Sequence, residues 1–160
     1  MKKVLIALDY DPTAQKIAED GYALAKAMNA QVVLLHVVSD PVYYSSAMYS
    51  PIMGFGGYMG SEILPPDVTD HLKNSSHEFL EKTKLHLGDD NITTMVTEGD
   101  FADAIIAAAT EVEAGVIVMG SHSRKWLEQI VMGSVTENVL HKTAIPLFII
   151  PTKKTEADNK

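Results

Sequence analysis

Short apolar runs alternate with helix-like segments along this chain, and this alternation constrains its fold more than any other feature. Five runs with the character of strands occupy 3–8, 31–38, 92–98, 115–119 and 146–150. Four segments with helical spacing or helix-start signals occupy 12–29, 67–87, 101–112 and 134–142. Strands that alternate with helices form parallel βαβ units, whose right-handed crossovers cover both faces of the sheet. We therefore predict an α/β fold with an open, doubly wound, five-stranded parallel sheet and helices on both faces.

Composition restricts the classes of partner and chemistry. The 160 residues suit about one domain, and 13 basic against 21 acidic residues give a net charge of −8. This balance argues against nucleic acid or an anionic membrane as a partner. The chain has no cysteine, which excludes disulfides and thiol catalysis and fits a reducing compartment. The first apolar run ends at Asp9 and no run has the length of a membrane span, so we expect a cytoplasmic protein without a targeting leader.

Two segments differ in character from the alternating pattern. The stretch 39–66 holds four of the six tyrosines together with several methionines and glycines. A connection of this length in a small domain is typical of a lid, a contact surface or a disordered loop. The polar tail 152–160 is expected to fray.

Glycine and serine recur where the fourth predicted strand gives way to the last helix. Gly120 and Ser123 are followed, after nine residues, by Gly133 and Ser134. Glycine lets backbone approach a phosphate closely, and a helix start offers free N–H groups and the positive end of a dipole. The alternatives are structural: Gly120 serves a turn that needs positive φ, and Ser134 caps the helix in a capping box with Glu137.

The element order and the motif G-x2-G-x9-G-[ST], read on Gly120, Ser123, Gly133 and Ser134, resemble the universal stress protein family. The resemblance runs over nearly the whole chain and implies one domain over 1–151. It implies a Rossmann-like fold, similar to the adenine nucleotide alpha hydrolases, with strand order 3-2-1-4-5. It also implies a homodimer formed through the edge strand 146–150. One branch of the family binds ATP, and two motif glycines and the final serine favour that branch here.

The resemblance assigns the nucleotide to strand ends and to the start of the last helix. Adenosine is expected to approach Ala7, Leu8 and Asp9, and the adenine to meet the Val37 backbone. The ribose side is expected to touch Met119 and Gly120. The phosphates, with any Mg²⁺ that they carry, are expected at Ser123, Gly133, Ser134, Val135 and Thr136, held mainly by backbone N–H groups and hydroxyls. No catalytic or dedicated metal-ligating residue is expected.

Two of these positions, and a pair of carboxylates outside them, have open interpretations. Ser123 stands where the family has glycine, so its Cβ either costs affinity through strain or contact, or its hydroxyl donates to phosphate. Asp9 either contacts adenosine or a phosphate-borne Mg²⁺, or it caps the first helix or forms an Asx turn. Asp100 and Asp103 could form an acid–base pair, but a helix-capping pair explains them better.

The function indicated is an ATP-binding module that acts in stress response or signalling. A weak ATP hydrolase or phosphotransferase is one alternative, although the chain lacks the P-loop pattern G-x4-G-K-[ST]. A nucleotide-free interaction protein of the same family is the other.

Overall fold

The five strands lie in one sheet and all pair in parallel, in the order β3-β2-β1-β4-β5. The computed structural model describes residues 1–10, 12–38, 67–121 and 133–152. Its strands are β1 Lys3–Ala7, β2 Gln31–Val38, β3 Thr93–Glu98, β4 Val116–Gly120 and β5 Leu147–Ile150. Its helices are α1 Ala14–Ala27, α2 Asp67–Leu87, α3 Phe101–Glu111 and α4 Ser134–Lys142. The predicted α/β class and strand order are confirmed. The predicted loop 39–66, Ser123 and residues 153–160 lie outside the described residues.

Two separate apolar clusters cover the two faces of the sheet, as the doubly wound prediction requires. Along β1, Val4 and Ile6 point into one cluster and Leu5 into the other, because successive side chains of a strand face opposite sides. The first cluster includes residues of α1 and α2, such as Ala18 and Leu80. The second includes residues of α3 and α4: Ala102, Ala104, Ile105, Ala108, Ala109 and Val139. Strands buried on both faces explain why the central runs are continuously apolar.

The arrangement of the helices locates the position where such a sheet binds ligands. The helix that follows β1, α1, packs on one face of the sheet, and the helix that follows β4, α4, packs on the other. These two strands are neighbours, with Ile6 aligned to Val118. In open parallel sheets the ligand-binding crevice lies beyond the carboxyl ends of such a pair of strands, at the point where the strand order reverses.

Several predicted element ends differ from the observed ones by one or two residues, and two of the differences have a clear physical reason. Thr13, not Asp9, is the N-cap of α1, because the Thr13 carbonyl accepts the first helical bond from the Ile17 N–H at 3.1 Å. Strand β5 begins at Leu147, one residue later than predicted. Pro146 has no N–H for the ladder and contributes only its carbonyl, which accepts from the Ile117 N–H at 2.9 Å.

The N-cap of α4 is Gly133 rather than Ser134. The Gly133 carbonyl accepts from the Glu137 N–H at 2.9 Å, so the helix begins with Ser134 already inside it. The capping-box interpretation of Ser134 is therefore wrong, and the N-cap residue supplies no side chain to the helix start.

Within the described ranges, no helix is long and apolar enough to cross a membrane.

Candidate functional site

The expected adenosine residues lie at the carboxyl ends of β1, β2 and β4, but several of their side chains are committed to the core. Leu8, Val37 and Met119 are each at most 5% exposed. The Leu8 N–H donates to the Leu35 carbonyl at 2.9 Å. A ligand here can meet these three residues mainly through their backbone, whereas Ala7 and Asp9 are partly exposed.

Hydrogen bonds to three other residues fix the position of Ser121, the residue that follows β4. The Ser121 N–H donates to the Ile150 carbonyl at 2.9 Å, and the Ser121 carbonyl accepts from the Gly133 N–H at 2.8 Å. The Ser121 hydroxyl accepts from the Thr152 N–H at 3.1 Å. Ser121 therefore connects β4, the start of α4 and the chain after β5.

Sequence reasoning missed Ser121 and Thr152. Ser121 occupies a variable position of the glycine motif, and Thr152 is the first residue of the predicted tail. Thr152 is only 8% exposed, so the packed part of the chain includes it. The only local signal was the Ser121 hydroxyl just after a predicted strand. It could not reveal the partner, because Thr152 lies 31 residues further along the chain.

Gly120 is required for close packing rather than for an unusual backbone conformation. The described glycines with positive φ are Gly88 and Gly99, so the positive-φ interpretation of Gly120 is wrong. A Cβ added at Gly120 would lie 2.5 Å from Ile17 Cδ1 and 2.9 Å from Thr152 Cγ2. Glycine therefore lets α1 and the chain after β5 pack closely against the end of β4.

The start of α4 presents backbone N–H groups beside this turn. The first N–H groups of a helix have no partner within the helix, and those of Ser134, Val135 and Thr136 find no acceptor among the residues that the structure describes. The buried Thr136 hydroxyl donates to the Gly120 carbonyl at 3.0 Å. This bond joins the first turn of α4 to the end of β4, and it uses the hydroxyl hydrogen that was expected to serve a phosphate.

The carboxylates near the end of β3 are engaged in structural interactions. Asp100 is the N-cap of α3 and its side chain accepts from the Asp103 N–H at 3.1 Å, which confirms the capping interpretation. Asp103 pairs with Lys142 at 2.9 Å, and its hydrogen bond raises the pKa of that lysine. Across the described ranges, no group of three or more His, Asp or Glu residues could hold a metal ion.

Three aromatic side chains pack together near the end of β1, between β2 and α2. The Tyr10 ring lies 4.5 Å from that of His36 and 5.0 Å from that of Phe79. The Tyr10 hydroxyl is 3.0 Å from the Ser76 hydroxyl on α2. Sequence reasoning missed Tyr10, since one aromatic residue after Asp9 matches no pattern.

Comparison with known proteins identifies the family. The sequence profile described as the universal stress protein family matches residues 1–151. The chain belongs to the universal stress protein family. This membership confirms the resemblance read from the glycine motif.

Individual relatives match along nearly their full length. The chain is 27% identical to universal stress protein MJ0577 of Methanocaldococcus jannaschii, over 96% of this chain and 97% of the relative. It is 26% identical to the stress response protein NhaX of Bacillus subtilis, over 92% and 96%. The solved structure of hypothetical protein MJ0577 superposes with a TM-score of 0.71 at 24% identity, covering 96% of this chain and 98% of that one. A universal stress protein in complex with cAMP superposes with a TM-score of 0.60 at 18% identity, over 95% and 98%.

Proposed function

We propose that this universal stress protein is an adenine-nucleotide-binding module that holds ATP in the crevice beyond β1 and β4 and acts in stress response or signalling. The observation that carries the proposal is the start of α4. It has a glycine N-cap without a capping side chain, and the Thr136 and Ser121 bonds hold it against the end of β4. A helix end with outward N–H groups and a positive dipole is suited to phosphate.

The proposed ligand contacts are those that the family resemblance implies. Adenosine lies against Ala7, Leu8 and Asp9 and the Val37 backbone, the ribose side against Met119 and Gly120, and the phosphates against Ser123, Gly133, Ser134, Val135 and Thr136. Any Mg²⁺ arrives with the phosphates. One family structure was solved with cAMP, which supports an adenine nucleotide as the class of ligand. A cysteine-free chain suits the reducing cytoplasm, where ATP is abundant.

The direct test is to release and identify the nucleotide. The purified protein is denatured and the supernatant is analysed for nucleotides, and ATP, ADP and cAMP are then titrated into stripped protein with and without Mg²⁺. We expect bound ATP, tighter binding of ATP than of cAMP, and no ADP accumulating over hours. Steady production of ADP would instead indicate a hydrolase, and no binding at millimolar ATP would exclude the proposed function.

We further propose that two copies associate through β5, the edge strand next to β4. Its outer edge is unpaired within the described chain, and the Phe148 side chain, which projects from one face of this strand, is 41% exposed. The unpaired N–H and C=O groups of such an apolar edge strand can form hydrogen bonds with a strand of a second copy. The family match over 1–151 supports treating both copies as single domains of that extent.

Replacing Phe148 with lysine is expected to convert a dimer into a monomer, because it places a charge on the apolar edge. The molar mass in solution, measured by light scattering over a range of concentrations, checks this. The matched control is Leu85→Lys, which also replaces an exposed apolar residue but lies on α2, away from β5. A wild-type protein that is monomeric at high concentration, or a Phe148→Lys variant that remains dimeric, would refute the proposed interface.

A further inference from the structure

We infer that Tyr10 and His36 form a clamp on the end of β1 that couples nucleotide binding at Asp9 to the position of α2. This inference rests on the proposed nucleotide site. Asp9 lies between two anchored residues, Leu8 and Tyr10, so their contacts determine where its backbone stands. Both anchors act through other groups, and we therefore assign them positioning roles rather than contacts with the ligand.

The first anchor is a hydrogen bond from the His36 ring to the backbone of the β1 end. His36 is 3% exposed, and its Nδ1 lies 2.8 Å from the Leu8 carbonyl. A carbonyl oxygen can only accept, so Nδ1 carries the hydrogen. This side chain thus holds the peptide group that joins Leu8 to Asp9.

The second anchor ties the next residue to α2. The Tyr10 ring packs against His36 and Phe79, and its hydroxyl lies 3.0 Å from that of Ser76. The Ser76 hydroxyl donates to the Leu72 carbonyl at 2.8 Å, so its hydrogen is used within the helix. The Tyr10 hydroxyl is therefore the donor to the Ser76 oxygen.

The position of Asp9 and the position of α2 are coupled because the same ring contacts hold the end of β1 and α2 together. The rings of His36, Tyr10 and Phe79 belong to β2, to the segment after β1 and to α2, and they form one packed group. A ligand that favours the clamped position of Asp9 also favours the docked position of α2. Thermodynamic linkage makes the effect reciprocal: ATP stabilises the clamp by the same factor by which the clamp strengthens ATP binding, so loss of the coupled contacts weakens binding.

Removal of the hydroxyl in Tyr10→Phe is expected to weaken ATP binding about two- to tenfold, the range for one partly exposed hydrogen bond. Ser76→Ala is expected to do the same, and the double variant should bind no more weakly than either single one, since both remove one interaction. The matched control is Tyr22→Phe, which removes from α1 a hydroxyl that donates to Asp89, a residue just after the C-terminal end of α2. Its affinity for ATP should equal that of the wild type.

Two substitutions of His36 test its hydrogen bond to the Leu8 carbonyl, one that retains an N–H donor and one that removes it. His36→Asn places an amide N–H near the position of Nδ1 and should retain most of the affinity. His36→Leu fills a similar volume without a donor and should lose about tenfold. Loss in both variants, with equal unfolding midpoints, would contradict the positioning role of the hydrogen bond.

Hydrogen exchange separates coupling from a merely structural role. In the wild type, ATP is expected to slow amide hydrogen exchange at residues 70–80 of α2 as well as at Asp9. In Tyr10→Phe at saturating ATP, slowing should persist at Asp9 and disappear in α2. Equal protection of α2 in both proteins, or additive losses in the double variant, would overturn the coupling alone. A wild type that binds no ATP would overturn it together with the proposed function.

Discussion

Replacing Gly120 with alanine is expected to destabilise the protein by about 1–3 kcal/mol, the usual cost of overpacking a tight interior site. The new Cβ would stand 2.5 Å from Ile17 Cδ1 and 2.9 Å from Thr152 Cγ2. Alanine also restricts the unfolded chain, which offsets at most about 1 kcal/mol, so the steric term decides the sign. The displacement should reach the Gly120 carbonyl, which accepts from the Thr136 hydroxyl, and thus weaken ATP binding. Urea unfolding and ATP titration measure the two effects.

The second-site variant Ile17→Val provides the control, since it removes the atom closest to the added Cβ. Alone it should cost about 0.5–1.5 kcal/mol. Combined with Gly120→Ala it should cost less than the sum of the two, because the smaller side chain accommodates the new methyl group. Strict additivity of the two free energies of unfolding would show that the contact with Ile17 is not the reason for glycine at this position.

Replacing Ser134 with proline is expected to weaken ATP binding about tenfold or more while leaving the fold intact. Proline is well tolerated at the first position of a helix, and Gly133 has the extended conformation, φ −56° and ψ 149°, that a residue before proline prefers. The substitution removes one N–H from the proposed phosphate site. A hydrogen bond to a charged group contributes about 1.5–3 kcal/mol, which corresponds to at least a tenfold change. Isothermal titration with ATP gives the affinity.

Ser134→Ala is the matched control because it removes the exposed hydroxyl and retains the N–H. We expect it to change the affinity less than the proline variant does, and both variants should keep the wild-type helix content by circular dichroism. Wild-type affinity in Ser134→Pro would contradict phosphate binding at the start of α4. Equal losses in both variants would assign the contact to the hydroxyl instead.

Local patterns were sufficient for most of the architecture. The apolar run 31–38 predicted β2 at its observed bounds, and the Asp100 pattern predicted the cap of α3. Both depend on residues close together along the chain, where strand and helix periodicity or a three-residue spacing suffices. The cap of α4 was misjudged because Gly133 and Ser134 both suit an N-cap, and the choice depends on which carbonyl meets the Glu137 N–H.

The candidate site was only partly predictable for the same reason. The motif indicated Gly120 and the start of α4. The reason for glycine at position 120 is the close packing of Ile17 and Thr152 against it, and no local pattern connects these residues. The bond between Ser121 and Thr152 likewise spans 31 residues. Ser123, which stands where the family motif has glycine, lies outside the described residues, so its effect on phosphate binding stays a prediction.

The sequence by itself determined the class of fold and, through the glycine motif, the family. Alternating apolar runs and helices admit few topologies, and the spacing from Gly120 to Ser134 is specific. Only the tertiary structure decided why Gly120 must lack a side chain, which residue caps α4, and how Tyr10 connects the end of β1 to α2. Those answers depend on distances between atoms that are remote along the chain, and such distances exist only once the sheet and its helices have packed.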